Sequence, residues 1–345
     1  MKFFACVVPA LLAVSGLVQA AAVIPRSDDG DFLPEFLDEL KKNNLTILAD
    51  SYQRIAYTDE GKSIIDLLES HELTILAPDD CAFDKDHDKE NYDTIIDPKV
   101  IEYSTLWGNI DKGFETTEHR RRAASSQSRS VARSTFRRSN APRRKRQQNA
   151  KDFQVQVIDK LSHPASRKRW NDDTILVDRP VGLAKVVRRL SFRKLVVLAV
   201  DAVLTLPPKV SELLCKPLIK DAPNGFKKTL EALEKTELLD LVDTKDEITV
   251  FVPIDESLED IGKHSKEELT SLVKNHIIPN NIIFSPMFAT VCKGTALSGK
   301  ELQLSYENDI HYVSCGKSKA IVLRSDVIPK NGVVHVIDRP LKCEY

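Results

Sequence analysis

The 345-residue sequence predicts an α+β protein built from two consecutive units, and three observations carry that prediction. In each half, stretches with apolar residues at helical spacing come before stretches rich in β-branched residues and do not alternate with them, which favours α+β over a βαβ order. A short apolar run ending in proline and followed by an acid occurs twice, as Leu73–Pro78 before Asp79-Asp80 and as Ile248–Pro253 before Ile254-Asp255. The length also exceeds what one hydrophobic core usually serves, since chains beyond about 250–300 residues split into domains.

The chain opens with Lys2 and an apolar run from Phe3 to Val18, broken by Pro9, Ser15 and Gly16 and leaving through Val18-Gln19-Ala20. This reads as a cleaved signal peptide at 1–20, because a membrane span needs about 20 apolar residues. The expected destination is secreted, extracellular or cell wall, with no transmembrane segment. Leu195–Leu206 is apolar but short and contains Asp201.

The first unit is expected at 32–206. Phe32-Leu33-Pro34-Glu35-Phe36-Leu37 begins a helix, Ile47, Leu48, Tyr52 and Ile55 make a second apolar stripe, and Ile64, Ile65, Leu67 and Leu68 a third, before the strand Leu73–Leu76. The second unit, 208–342, repeats the order. Val210, Leu213 and Leu214, then Phe226, Leu230 and Leu233, precede the strand Ile248–Val252. A helix around Glu267–Lys274 follows, and then strands: Leu302, Leu304 and Tyr306 alternate with polar residues, and Asn331-Gly332 reads as a tight turn launching Val333–Ile337.

Leu195–Leu204 aligns with Gly332–Leu341 if Asp201 matches Asp338. The interval from Asp80 to Asp201 is then 121 residues against 83 from Asp255 to Asp338, an excess of 38. Between His119 and Ala150 there are eleven Lys or Arg and no acid, so the near-neutral balance of 50 basic and 51 acidic residues hides one basic segment in an otherwise acidic chain. Repeat spacing and composition together mark a basic, disordered insert at about 116–150. Three readings of it stay open: an unprocessed solvated loop, cleavage after Lys145-Arg146 by a dibasic-specific protease, and binding of a polyanion or acidic polysaccharide. Nuclear targeting is set aside by the signal peptide, and no nucleic-acid partner is expected.

The stretches Ile248–Leu258 and Asn331–Leu341 resemble the two signature boxes of the fasciclin domain, an extracellular adhesion and matrix module; Leu73–Phe83 repeats the first box. The resemblance implies two fasciclin-like domains, each a β-strand wedge with helices packed around it and the boxes as neighbouring core strands. It implies a non-catalytic adhesion, matrix or wall-associated protein, with protein or glycan partners at a cell surface, cell wall or extracellular matrix. Integrin-binding members are credited with a Tyr-His pair. Here each unit keeps half of it, Tyr103 in the first and His276, after Asn275, in the second, so these three are the candidate adhesion positions, with a core role as the competing reading.

Other chemistry finds little support. No His-Glu-x-x-His, Gly-x-Ser-x-Gly or glycine-rich phosphate loop occurs, and no cofactor or metal is expected. Asp84–Glu90 imitates a calcium loop but has Lys89 where glycine belongs and Ile95 where the closing glutamate belongs, so it reads as a solvated acidic loop. An enzyme or a lipid-binding protein on this scaffold is the runner-up, since fold does not fix function. Asn44-Leu45-Thr46 is a glycosylation sequon. Of the cysteines outside the expected signal, the preferred pairing is Cys292 with Cys315 and Cys215 with Cys343, a connectivity that spacing alone does not fix and that would leave Cys81 as a buried thiol or an intermolecular link.

Overall fold

The computed structural model describes residues 32–85, 95–110, 113–114, 127–138, 152–161, 174–258 and 263–343. The expected signal peptide at 1–20, residues 116–126 and 139–150 of the basic segment, and the acidic loop beyond Lys85 lie outside the described residues.

The first half runs α1 (Phe32–Lys42), α2 (Thr46–Ile55), α3 (Asp59–Ser70), β1 (Leu73–Pro78), α4 (Asp80–Lys85), α5 (Pro98–Ser104), β2 (Thr105–Asn109) and β3 (Gly113–Phe114). It continues with β4 (Gln127–Arg137), β5 (Phe153–Leu161), β6 (Thr174–Asp178), β7 (Leu183–Phe192) and β8 (Leu195–Val200). The second half begins with α6 (Val210–Leu214), α7 (Lys227–Lys235), α8 (Leu239–Thr244), β9 (Ile248–Pro253), α9 (Lys266–Asn275), β10 (Ile277–Ile278) and α10 (Phe288–Val291). It ends in the strands β11 (Lys293–Thr295), β12 (Glu301–Glu307), β13 (Ile310–Cys315), β14 (Ser318–Val327) and β15 (Gly332–Ile337). Helices before a strand-rich half, twice over, make the α+β class plain.

The two boxes of each unit lie side by side as parallel strands: β1 on β8, from Leu73 opposite Leu195 to Pro78 opposite Val200, and β9 on β15, from Ile248 opposite Gly332 to Pro253 opposite Ile337. All four are buried along their whole length, which is why they read as continuous apolar runs and not as alternating strands. Alternate residues nonetheless serve different layers. Leu73, Ile75, Leu195 and Val197 pack on Phe36, Leu40, Leu48 and Tyr52 of the helices, while Leu76, Val196 and Leu198 point to the other side, onto Leu106, Ile158 and Val177. The second unit divides its core the same way, with Val250 and Val336 against Leu213, Leu214 and Leu233, and Phe251 and Ile337 against Leu302, Leu304 and Val313.

The first sheet runs β1-β8-β7-β6-β5-β4-β2-β3, and β1 also pairs with β2, so seven of its strands close into a ring. The second runs β10-β9-β15-β14-β13-β12-β11.

Residues 127–137 correct the expectation of a disordered insert. They form β4, which pairs antiparallel with β5 from Gln127 opposite Leu161 to Arg137 opposite Phe153. The charge that argued against folding is matched in the fold. Arg133 lies over the rings of Trp107 and Phe153, each 5.2 Å from the ring centre, Arg137 pairs with Asp152 at 3.5 Å, and Val131 and Ala132 are buried.

The Asn331-Gly332 turn is a second correction. Neither residue has a positive φ. Gly332 instead begins β15 so close to β9 that a Cβ there would lie 2.0 Å from the Ile248 carbonyl oxygen. Asn331 is buried, and its Nδ2 donates to the carbonyls of Val242 (2.9 Å) and Lys245 (2.7 Å) at the end of α8. In the first unit the matching hairpin turns on Arg193, with φ 50.

Candidate functional site

The repeat is built into hydrogen bonds as well as strands. The acid after the first box reaches back to an upstream helix whose own N-cap residue, Leu45 or Phe226, supplies no side-chain bond. Asp80 accepts from the Thr46 and Ile47 amides at 2.9 and 3.1 Å, and Asp255 accepts from the Lys228 amide at 3.1 Å. Each carboxylate satisfies orphan donors at the positive end of a helix, α2 or α7. Both helices are entered from a left-handed residue, Asn44 (φ 54) or Gly225 (φ 76). The acid after the second box also has one job in both units. Asp201 accepts from the Lys185 amide at 2.7 Å and Asp338 from that of Ile321 at 2.8 Å, and each returns its own N–H to the same residue's carbonyl at 3.0 Å.

The candidate adhesion residues are not brought together. Tyr103 is buried in α5 of the first unit, and burial pushes its hydroxyl pKa well above the ordinary phenol value. Asn275 and His276, buried at the end of α9, hold one residue of the C-terminal segment. Asn275 Nδ2 donates to the Leu341 carbonyl at 3.1 Å, and the Leu341 amide donates to His276 Nε2 at 2.9 Å. Since Nε2 accepts, the ring proton sits on Nδ1 and goes to the Leu272 carbonyl at 2.8 Å. Burial lowers the His276 pKa to about 4. The neutral ring is a structural bridge.

Asn44 is exposed in the turn between α1 and α2, and the Thr46 hydroxyl of its sequon donates to Asp80 at 2.6 Å. Lys145 and Arg146 lie outside the described residues.

The cysteine pairing differs from the one expected. Cys315, at the end of β13, joins Cys343, while Cys81, Cys215 and Cys292 are exposed thiols. The reason is the path of the chain after β15. Leu341 is fully buried and pinned by Asn275 and His276, and the Ser318 hydroxyl donates to the Pro340 carbonyl at 3.2 Å, so the segment runs past the β13–β14 turn and delivers Cys343 to Cys315.

The densest polar arrangement was missed altogether, because half of it belongs to the basic segment. Arg129 of β4 holds Asp159 of β5 through two 2.8 Å bonds. It also reaches into the second unit, to Ser325 at 2.9 Å and Asp326 at 3.0 Å. Arg324 of β14 reaches the opposite way, to Asp178 at 2.7 Å and to the carbonyls of Arg179 and Pro180 at 2.5 and 2.8 Å. Asp326, with no exposure, also accepts from the Ser285 amide and hydroxyl and gives its own amide to His335 Nδ1 at 3.3 Å. His335 Nε2 therefore carries the proton and donates to the Ile283 carbonyl at 2.9 Å.

The charges follow from those partners. Burial opposes charge on Arg129, but the bond to Asp159 and the pull of Asp326, Asp159 and Asp178 outweigh it and raise its pKa. Burial also opposes ionised Asp326, yet His335, Arg129 and Ser285 hold that carboxyl below its ordinary value. At Asp178 burial prevails over the two arginines and raises the pKa. The one sequence signal for this cluster was alternation across Arg129, Val131 and Arg133 with small residues between.

Among the described residues no group of three or more His, Cys, Asp or Glu is arranged to hold a metal ion, and no helix is long and apolar enough to cross a membrane.

Comparison with known proteins agrees with the architecture. The fasciclin domain model matches residues 224–343. The fasciclin-like arabinogalactan protein elcF of Phaeosphaeria nodorum is 30% identical over 174 residues, 49% of this chain and 53% of that protein. The fasciclin-like arabinogalactan protein CTB11 of Cercospora beticola is 28% identical over 182 residues, 51% of this chain and 46% of that protein. Human periostin is 29% identical over 126 residues, 34% of this chain and 14% of that protein. The matched regions thus span about half the length of the first two relatives. Residues 224–343 thus match a fasciclin domain, and the first unit repeats its parallel boxes and both of its capping aspartates.

Proposed function

We propose that this is an exported, non-catalytic adhesion protein of the cell wall or extracellular matrix, in which units at 32–206 and 208–342 present binding surfaces to wall or cell-surface components. The fasciclin domain match over residues 224–343, with fasciclin-like arabinogalactan proteins among the similar proteins, carries this reading. The chemistry of the interior supports it: His276, His335 and Asp326 are spent on backbone and ion-pair contacts, so their perturbed pKa values belong to structure. The sequon at exposed Asn44 suits a wall glycoprotein. A binding screen of the secreted chain against cell-wall glycans and cell-surface preparations tests the reading, and binding to neither class would sink it. N-terminal sequencing of the secreted chain tests removal of residues 1–20.

The basic segment keeps two readings, a solvated loop or a site cut after Lys145-Arg146. Arg129, Arg133 and Arg137 have partners within the fold, which weakens the third, a polyanion-binding arm. Since β4 and β5 pair on either side of residues 139–151, a cut chain would stay associated. Cleavage would therefore give two bands under denaturing, reducing conditions and one species by native sizing.

A further inference from the structure

We infer that β4, the strand within the basic segment, latches the two fasciclin units into one rigid body, so that the surfaces of the second are displayed in fixed relation to those of the first. A joint made by a linker alone leaves domains free to reorient, and relative motion is the ordinary expectation unless the interface is substantial. This joint has an apolar seam. Val131, Val155 and Val157, on the outer face of β4 and β5, are buried against Phe284, Ile328 and Val333 of the second unit.

The charge cluster lies beside the seam and grips in both directions. Arg129 takes Asp326 across the joint while holding Asp159 on its own side, and Arg324 takes Asp178 back across it. Gln154 adds a bond to the Lys330 carbonyl at 2.5 Å. The side chains of Asp178 and Asp326 are 8% and 0% exposed, so separating the units would take from Asp326 its pair with Arg129 and from Asp178 its pair with Arg324. Removing one partner of such a pair is costly because the other charge is left uncompensated. Each unit therefore depends on the other for part of its charge balance, and a structural perturbation in one is felt in the other. The run of arginines that looked like a free arm contributes its Arg129 as the centre of this contact.

Calorimetry and small-angle scattering on the full chain test the latch. The native sequence should unfold in a single transition. Arg129→Met should split it into two transitions several degrees apart and enlarge the maximum dimension in solution. A merely structural role for Arg129 would lower a single transition without splitting it. Because Arg129→Met strands Asp159 and can unfold the first unit outright, Phe284→Ser, on the second unit's side of the seam and with a side chain that pairs with no carboxylate, is measured in parallel. Splitting in either variant supports the latch. Two independent transitions in the native sequence, or an unsplit transition with unchanged dimensions in every variant that folds, overturns it.

Discussion

At the scale of single residues, His276 shows how a residue that resembles a recognition motif can be consumed by the fold. Its neutral ring accepts from the Leu341 amide and donates to the Leu272 carbonyl, and a protonated ring could not accept. With a folded pKa lowered to about 4 from an ordinary 6.5, the unfolded chain takes up the proton first as pH falls. The contribution is therefore complete above pH 6.5 and is lost as pH drops from 6.5 towards 4, amounting to about 3 kcal/mol. Denaturant midpoints between pH 7 and 4 should decline steeply for the native sequence and less steeply for His276→Gln; parallel declines would remove His276 as the cause. The capping aspartates make a second residue-level prediction. Asp80→Ala or Asp255→Ala should each cost about 1 kcal/mol by equilibrium unfolding, the usual value of a lost N-terminal cap.

Among the elements, the parallel box strands are the least forgiving. The interval between Gly332 and the Ile248 carbonyl leaves no room for a methyl group, so Gly332→Ala must push β15 away from β9 at a cost of about 1–3 kcal/mol, visible as a lower Tm. The disulfide acts on the segment after β15. Cys315 and Cys343 are 28 residues apart, a loop for which chain entropy predicts about 3–4 kcal/mol of stabilisation. Cys343→Ser should lower stability by that order, and among the described cysteines alkylation of the native protein before reduction should label Cys81, Cys215 and Cys292 and spare Cys315 and Cys343. The box strands were legible in the sequence because burial on both faces leaves a continuous apolar run that no other local structure explains. The disulfide was not, because cysteine spacing carries no information about where the chain passes after Leu341.

Taken as a whole, the molecule makes the basic segment its most informative region. Deleting residues 120–146 removes β4, and with it the closure of the first sheet and the latch, so circular dichroism and calorimetry should report loss of the first unit's cooperative unfolding. Deleting only Arg143–Arg146 should leave unfolding unchanged. By itself the sequence determined the α+β class, the repeat, the two boxes and their aspartates, because apolar period and proline position are local properties that survive in a single line of residues. Tertiary structure alone decided that Arg129 belongs to a joint, that His276 holds the C-terminal segment and that Cys315 meets Cys343. The physical reason is the same in each case. A charge, an imidazole or a thiol takes its role from partners up to 197 positions away, and only the folded chain brings those partners within bonding distance.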